Sequence, residues 1–200
     1  MDAPSNRPPL DYKWKALAAV AIGTFMATLD SSIVNLAMPT LSREFQVEIT
    51  TVEWVAMAYM LTLAGVLISM GRLSDLVGRK RIYNIGFAVF TFGSLLCALA
   101  PGIGALVASR VVQAMGAAML ASNGAAILTA AFPRSERGKA MGLNGTIVGA
   151  GLTVGPSLGG ILIHTLGWRS IFTINLPIGV LGVFLAARLL RPDDAGPREE

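Results

Sequence analysis

Two charged residues stand inside long apolar stretches of the sequence, where they could carry out chemistry. Asp30 lies in the run TFMATLDSSIVN and Arg110 in the run ALVASRVVQ. Charge inside a membrane-spanning helix is costly, so such a side chain usually faces a partner or a water-filled cavity. In a wet cavity an acid and a base could take up and release a proton, because burial favours the neutral acid and a neighbouring arginine favours the carboxylate. A static salt bridge, or a helix break at Asp30 ahead of Pro39, is the structural alternative.

A second feature is a run of glycines around a proline, GLTVGPSLGG at residues 151–160. Glycines four residues apart let two helices approach closely, and a proline removes a backbone donor and bends a helix. We therefore expect a hinge and seal formed by Gly151, Gly155, Pro156, Gly159 and Gly160. Ordinary helix packing is the alternative.

A third feature is the polar segment GRLSDLVGRKR at residues 71–81, in which one acid stands among four bases. Gly71 and Gly78 permit a tight turn between antiparallel helices. Asp75 can accept hydrogen bonds from the N-terminus of a helix, where an anion is favoured. A simple basic anchor with an incidental acid is the alternative.

The composition is that of a membrane protein. Hydrophobic residues make up 54% of the 200-residue chain and charged residues only 14%, against about 25% charged residues in soluble domains. The net charge of +4 comes from short basic clusters between apolar runs, a pattern that sets membrane topology and does not bind nucleic acid. The single cysteine, Cys97, excludes an internal disulfide, and the sequence contains no motif for a metal, a cofactor or covalent catalysis.

Six apolar runs are long enough to cross a bilayer as helices, which takes roughly 17–25 residues each. They lie at residues 16–38, 52–70, 82–100, 103–125, 140–164 and 171–190. A six-span bundle over residues 14–190 is therefore predicted, with a disordered tail at 1–13 and a tail or truncated linker at 191–200. At about 1.5 Å per residue, Asp30 would lie roughly 12 Å and Arg110 roughly 10 Å below the outer ends of their helices, so the two depths agree.

The positions of lysine and arginine predict the orientation. Six spans place thirteen basic residues on one side of the membrane and only Arg43 and Arg169 on the other. Positive residues are retained in the cytoplasm. Both termini are therefore predicted to be cytoplasmic, in the plasma (bacterial inner) membrane.

These segments resemble the motifs of the major facilitator superfamily of transporters. Residues 71–81 resemble its loop motif and residues 151–160 its fifth-helix antiporter motif. Residues 29–39 and 168–179, the latter including Asn175, resemble motifs of the fourteen-helix drug:proton antiporter branch. The fourth-helix motif is matched by Leu106, Arg110, Gln113, Gly116 and Ala118.

The resemblance implies an all-α membrane protein, the N-terminal six-helix bundle of such a transporter with an inverted three-plus-three repeat. It implies export of small amphipathic or cationic compounds such as drugs in exchange for protons, with Asp30 and Arg110 handling the proton. The implied partners are lipid, protons, a small-molecule substrate and a second half of about six to eight helices or another copy, with no cofactor. The implied cytoplasmic gate is formed by Gly71, Asp75, Gly78, Arg79 and Lys80.

Two alternative functions stay open. One is a truncated, non-transporting membrane fragment or partner subunit. The other is a metabolite symporter of the same superfamily, against which the antiporter motif argues.

Overall fold

The chain is a bundle of long helices. The computed structural model describes residues 10–191, and the predicted tails at 1–13 and 191–200 lie largely outside the described residues. Six helical segments are long and apolar enough to cross a membrane, and the sixth consists of two consecutive helices. The predicted six-span, all-α fold is therefore confirmed. The helices are α1 (Leu10–Phe45), α2 (Ile49–Val77), α3 (Arg79–Ala98), α4 (Ile103–Ala131), α5 (Arg137–Leu166), α6 (Ser170–Thr173) and α7 (Asn175–Leu189), with a 3₁₀ turn at Arg134–Glu136 before α5.

Four of the helices, α1, α2, α4 and α5, extend beyond the predicted spans, whereas α3 and α7 end one or two residues before the predicted ends. α1 continues from Asp30 through Pro39 to its end without interruption, so the alternative of a helix break at Asp30 is wrong. α2 and α3 are separated by Gly78 alone, whose φ of 106° lies in the left-handed region that favours glycine. Gly71 was expected to help form this turn, but it lies within α2. One residue with positive φ suffices to reverse the chain, so the second glycine stays helical.

The packing of the spans follows the inverted repeat expected of the fold. In such a repeat, spans 1, 2 and 3 correspond to spans 4, 5 and 6. The contact of α1 with α5 therefore corresponds to the contact of α4 with α2, and both contacts are extensive. α1 also packs on α4, and α3 packs on α7. In the most apolar 18-residue stretch of α2, and of the span that contains α5, only 17% is buried, against 50% in α3 and α4. One long face of α2 and one of α5 therefore have no partner among the described residues.

Two apolar clusters fill the bundle, one toward each end. The first includes Phe87 and Leu128, and the second includes Ile33 and Phe172. The buried polar residues that α3, α4 and α7 contribute at the level of Asp30 lie in sequence between members of the two clusters, whereas Asp30 itself directly follows Leu29 of the second cluster. The centre of the bundle is therefore a polar layer enclosed by two apolar ones.

The two ends of the described chain meet at one face of the bundle. The backbone N–H of Arg191 donates to the hydroxyl of Tyr12 at 3.4 Å. Near it, the ammonium of Lys13 lies 2.6 Å from a carboxylate oxygen of Glu136, in the turn before α5. The described chain thus begins and ends on the same side, as an even number of spans requires.

Candidate functional site

The polar layer is one hydrogen-bonded group of side chains, here named the central polar cluster: Asp30, Ser94, Arg110, Gln113 and Asn175. Each of them is at most 1% exposed. Arg110 Nη1 donates to Asp30 Oδ2 at 2.6 Å. Gln113 Nε2 and Asn175 Nδ2 donate to Asp30 Oδ1 at 2.9 Å and 2.8 Å. Gln113 Nε2 also donates to Ser94 Oγ at 2.8 Å, so α1, α3, α4 and α7 all contribute to the cluster.

Arg110 is held in position by groups beyond the acid. Its Nε donates to the carbonyl oxygen of Val55 in α2 at 3.2 Å, and its guanidinium carbon lies 4.0 Å from the centroid of the Tyr59 ring. Its Nη1 also donates to Gln113 Oε1. A guanidinium can stack on an aromatic ring while it pairs with a carboxylate. α2 thereby orients the base toward α1.

The side chains around Asp30 present hydrogen-bond donors to both of its oxygens. All three side chains that contact these oxygens are donors, and a carboxylate is the form that only accepts. The arrangement therefore suits a carboxylate paired with the Arg110 guanidinium. A wet cavity around the pair was expected from the sequence, but neighbouring residues of the described bundle seal the pair from water.

A cavity of about 260 Å³ opens beside the cluster, between α1, α4 and α5. Its polar lining includes Thr24 and Asn144, whose side chains are joined by a hydrogen bond of 3.0 Å. Thr28, two residues before Asp30 in α1, also lines it, and the rest of the wall is glycine and small or aliphatic side chains. Ligand pockets typically combine such an apolar wall with a few polar groups.

The glycine motif of α5 packs closely against α1 next to the cluster. A Cβ atom added to Gly151 would lie 2.9 Å from Thr28 Cβ, and one added to Gly155 would lie 2.6 Å from Ser32 Cβ. Ser32 Oγ donates to a backbone carbonyl of α5 at 3.1 Å. Only glycine at these positions lets the two backbones approach so closely.

The remaining three residues of that motif are divided between two faces of α5. Gly159 continues the contact face against Ile33 of α1, whereas Pro156 and Gly160 are exposed. α5 remains helical through Pro156. The close contact expected of Gly155 and Pro156 together is therefore made by the glycines, because residues four apart share a helix face and the proline lies on another.

The segment predicted as a cytoplasmic gate forms the junction of α2 and α3. Asp75 Oδ1 accepts hydrogen bonds from Arg79 Nε at 3.2 Å and from Arg79 Nη2 at 3.0 Å. Lys80 lies in the first turn of α3, next to Arg79, and Gly78 makes the turn. The structure thus brings Asp75 and Arg79 together across the turn, outside the central polar cluster.

Several members of the site escaped prediction from the sequence. Gln113 and Asn175 stand in the motif segments but carry no predicted role, and Ser94 and Tyr59 lie outside every motif. An available signal was the side-chain amide itself, because a strongly polar group within an apolar span usually faces the bundle interior. Serine and tyrosine are too common in spans to be singled out this way.

Metal ligands are not brought together in the described part of the chain. Within residues 10–191 no group of three histidine, cysteine, aspartate or glutamate side chains is placed to hold a metal ion. Hydrogen-bond donors surround the oxygens of Asp30 instead.

Comparison with known sequences gives consistent relatives. The chain matches the Major Facilitator Superfamily over residues 20–200. It is 44% identical to the riboflavin transporter RibZ of Clostridioides difficile over 181 residues, which is 90% of this chain and 40% of RibZ. It is 44% identical to the multidrug resistance protein Stp of Mycobacterium tuberculosis, over 84% of this chain and 32% of Stp. It is 38% identical to the methylenomycin A resistance protein of Streptomyces coelicolor, over 87% of this chain and 37% of that protein.

The chain therefore spans less than half the length of these curated relatives. A solved structure shares its fold: a bacterial homologue of the human lysosomal transporter Spinster, in an inward-facing and unoccupied conformation, matches with a TM-score of 0.75 at 19% identity. The match covers 92% of this chain and 44% of that one. Since the family match covers most of the sequence and the six-span bundle has the fold of a solved transporter, the chain belongs to the major facilitator superfamily.

Proposed function

We propose that this chain is the N-terminal half of a transporter that exports small amphipathic or cationic compounds in exchange for protons. The observation that carries the proposal is the pair of Asp30 and Arg110, 2.6 Å apart at the centre of the bundle and sealed from water. The names of two relatives, a multidrug resistance protein and a methylenomycin A resistance protein, support export of small molecules.

Proton binding at Asp30 would change the balance of the cluster. In this conformation the carboxylate neutralises Arg110. Leaving a buried charge without its counter-ion costs about 3–5 kcal/mol. A neutral Asp30 would therefore favour a second conformation, in which water or another anion reaches the arginine. The two protonation states would then prefer different arrangements of α1 against α4, and such a difference is what coupling requires.

The cavity between α1, α4 and α5 would form part of the substrate site. Thr28 of α1 lines it two residues before Asp30, so a movement of α1 would couple a bound compound to the cluster. A cationic substrate near Asp30 would also compete with the proton for the carboxylate. Both effects would make substrate release and proton uptake depend on each other.

Two further regions would control access to this site. The glycine face of α5 lies against α1 beside the cluster, and a shift along that contact would open or seal one side of the pathway. Asp75, Arg79 and Lys80, with Gly71 and Gly78, would form the cytoplasmic gate at the α2–α3 junction.

The exposed faces of α2 and α5 would pack on a second half of about six to eight helices, or on another copy, because the pathway of this fold lies between repeats.

The proposed orientation places the ends of the described chain in the cytoplasm of the bacterial inner membrane. Single cysteines at Gly102 and Gly138, both positions where an added side chain meets open space, would lie on opposite sides. A membrane-impermeant thiol reagent should label Gly102→Cys, but not Gly138→Cys, in intact cells. The reverse pattern would contradict the cytoplasmic assignment.

Transport by the complete protein, as its gene encodes it, tests the function. In proteoliposomes with an acidic interior we expect a fluorescent cation such as ethidium to be driven inward by inside-out protein, and a protonophore to stop it. Movement that ignores the pH gradient would contradict proton coupling. If no cation or neutral amphipath moves although the protein is inserted, a non-transporting partner subunit becomes the better interpretation.

A second candidate function is transport of riboflavin or a similar metabolite. It is favoured by one observation, the 44% identity to the riboflavin transporter RibZ. The same proteoliposomes loaded with riboflavin distinguish the two. Saturable riboflavin movement with no movement of ethidium would favour the metabolite transporter.

A further inference from the structure

Asn175 has one amide atom that the central polar cluster uses and one that it does not. Its Nδ2 donates to Asp30 Oδ1 at 2.8 Å, and the residue is fully buried. Its Oδ1 is buried without a hydrogen-bond partner in the described structure. A buried acceptor left without a partner is unfavourable and calls for an explanation.

The other two donors to Asp30 have no such spare atom. Arg110 has only donors and cannot accept a hydrogen bond. Gln113 uses both ends of its amide: Nε2 donates to Asp30 and Ser94, and Oε1 accepts from Arg110. Rotating the Gln113 amide would break all three of these contacts. Asn175 alone can reverse its amide at the loss of one hydrogen bond.

We propose that Asn175 is a reversible amide that positions and stabilises Asp30 in both of its protonation states. With Asp30 ionised, Asn175 Nδ2 donates to the carboxylate, as in this structure. When a proton from water binds Oδ1, the N–H···O bond to Asn175 breaks, the amide rotates, and the new Asp30 O–H donates to the formerly unpartnered Asn175 Oδ1. The protonated Oδ1 keeps a lone pair for Gln113, and Oδ2 still accepts from Arg110.

None of the ionisable groups around Asp30 can take up the proton in its place. The charged or titratable groups that act on it are Arg110 from α4, Tyr59 from α2 and Cys97 from α3. An arginine keeps its charge in proteins, and a phenol and a thiol already carry their protons at neutral pH. α5 presents glycines to this part of α1, and α7 presents Asn175 itself.

Asn175 lies where a rotation of its amide would act on the sixth span. It is the first residue of α7 and follows the turn at Ile174 that separates α7 from α6. Asn175 therefore connects the acid in α1 to the start of α7 in the sixth span. This inference rests on the proposed function, in which Asp30 gains and loses the proton.

Infrared difference spectroscopy on the complete protein in lipid tests the proposal, with spectra recorded at low and high pH. We expect a carboxylic acid band that disappears in Asp30→Asn, and a paired shift of an asparagine amide carbonyl band that disappears in Asn175→Leu and in Asn175→Ser. Asn175→Leu should lower gradient-driven efflux about 10- to 100-fold, because a hydrogen bond to a charged group is lost. Asn175→Ser should restore most of it, since a hydroxyl can both donate and accept.

The outcomes separate this inference from the proposed function. If the Asp30 band titrates but no asparagine carbonyl shifts, or the shift persists in both Asn175 variants, the amide reversal is wrong and proton coupling by Asp30 stands. If Asp30 shows no band between low and high pH, both ideas fail. Should Asn175→Leu not fold, the spectrum and efflux of Asn175→Ser decide the matter alone.

Discussion

The chain contains two aspartate–arginine pairs whose chemistry is the same and whose surroundings differ. Asp30 and Arg110 are 2.6 Å apart with side chains 0% and 1% exposed, and they come from different helices. Asp75 and Arg79 are 3.0 Å apart with side chains 61% and 37% exposed, and they lie four residues apart across one turn. The first pair is enclosed by Gln113 and other polar partners, whereas the second is open at the end of the bundle.

The difference shows that burial decides what an ion pair can do. An exposed pair contributes about 0–1 kcal/mol, so it can form and break as its surroundings change, which suits a gate. A buried pair is costly to break from one side, because the remaining charge has no water to solvate it. Of the two pairs, only the buried one would make a change of charge costly enough to favour another packing of the helices.

The largest effect is expected from Arg110→Ala. Removing the base leaves the Asp30 carboxylate unpaired at the centre of the bundle, so the free energy of unfolding should fall by about 3–5 kcal/mol. Arg79→Ala is the matched control from the exposed pair, and its effect should stay below about 1 kcal/mol. Unfolding titrations in mixed micelles measure both. Equal effects at the two sites would remove burial as the distinguishing property.

Asp30→Asn should abolish pH-gradient-driven efflux while the protein stays in the membrane. Asparagine keeps the size and polarity of the acid but cannot gain or lose a proton near neutral pH. The loss of stability should not exceed that of Arg110→Ala: the variant leaves the buried Arg110 cation without its counter-ion, but the amide oxygen can still accept from Arg110, which also keeps its contacts with Val55 and Tyr59. Efflux assays together with the amount of inserted protein give both readouts.

Glu44→Gln is the control for that experiment. Glu44 is an acid near the C-terminal end of α1. Its side chain is 48% exposed and lies 3.9 Å from Arg169, so the neutral variant should transport normally. Efflux at the wild-type rate by Asp30→Asn would remove Asp30 from the coupling mechanism.

Gly155→Leu extends the comparison to residues without charge. The new side chain would collide with Ser32 of α1, and overpacking of this kind typically costs about 1–3 kcal/mol. Gly104→Leu is the matched control, because an added side chain there meets open space. Thermal unfolding in detergent should show a lower midpoint for the first variant only. An unchanged midpoint, with normal efflux, would mean that the α1–α5 contact is not a seal.

The smallest effect is expected from Asp75→Asn. Its loss of stability should remain below about 1 kcal/mol, since the pair with Arg79 is exposed and screened. The same unfolding titration used for Arg110→Ala checks this value. A loss as large as that from Arg110→Ala would show that Asp75 has a buried partner in the complete protein.

Much of the fold could be predicted from the sequence, because its signals are local. Apolar runs of the right length identify spans, and a fixed rise per residue gives the depth of Asp30 and of Arg110 along them. Agreement of the two depths was enough to predict the pair. The glycines four residues apart at Gly151 and Gly155 likewise predicted a close helix contact, since their shared face follows from helix geometry.

Other features depended on how the helices are packed. Depth along a helix follows from counting residues, but the direction in which a side chain points into the bundle is set by contacts with helices distant in sequence. Pro156 could not be placed on the exposed side of α5 by its motif alone. Gly71 could not be distinguished from Gly78 as the residue of the turn, because both stand in the same polar segment.

By itself the sequence determined six spans, the depth of the buried charges and the family motifs. All of these follow from hydrophobicity and helix periodicity along a single segment. Only the tertiary structure decided that Asn175, 145 residues from Asp30, donates to the same oxygen of Asp30 as Gln113 does. The physical reason is that a buried carboxylate needs hydrogen-bond donors in place of water. Which donors can reach it depends on how four helices pack together.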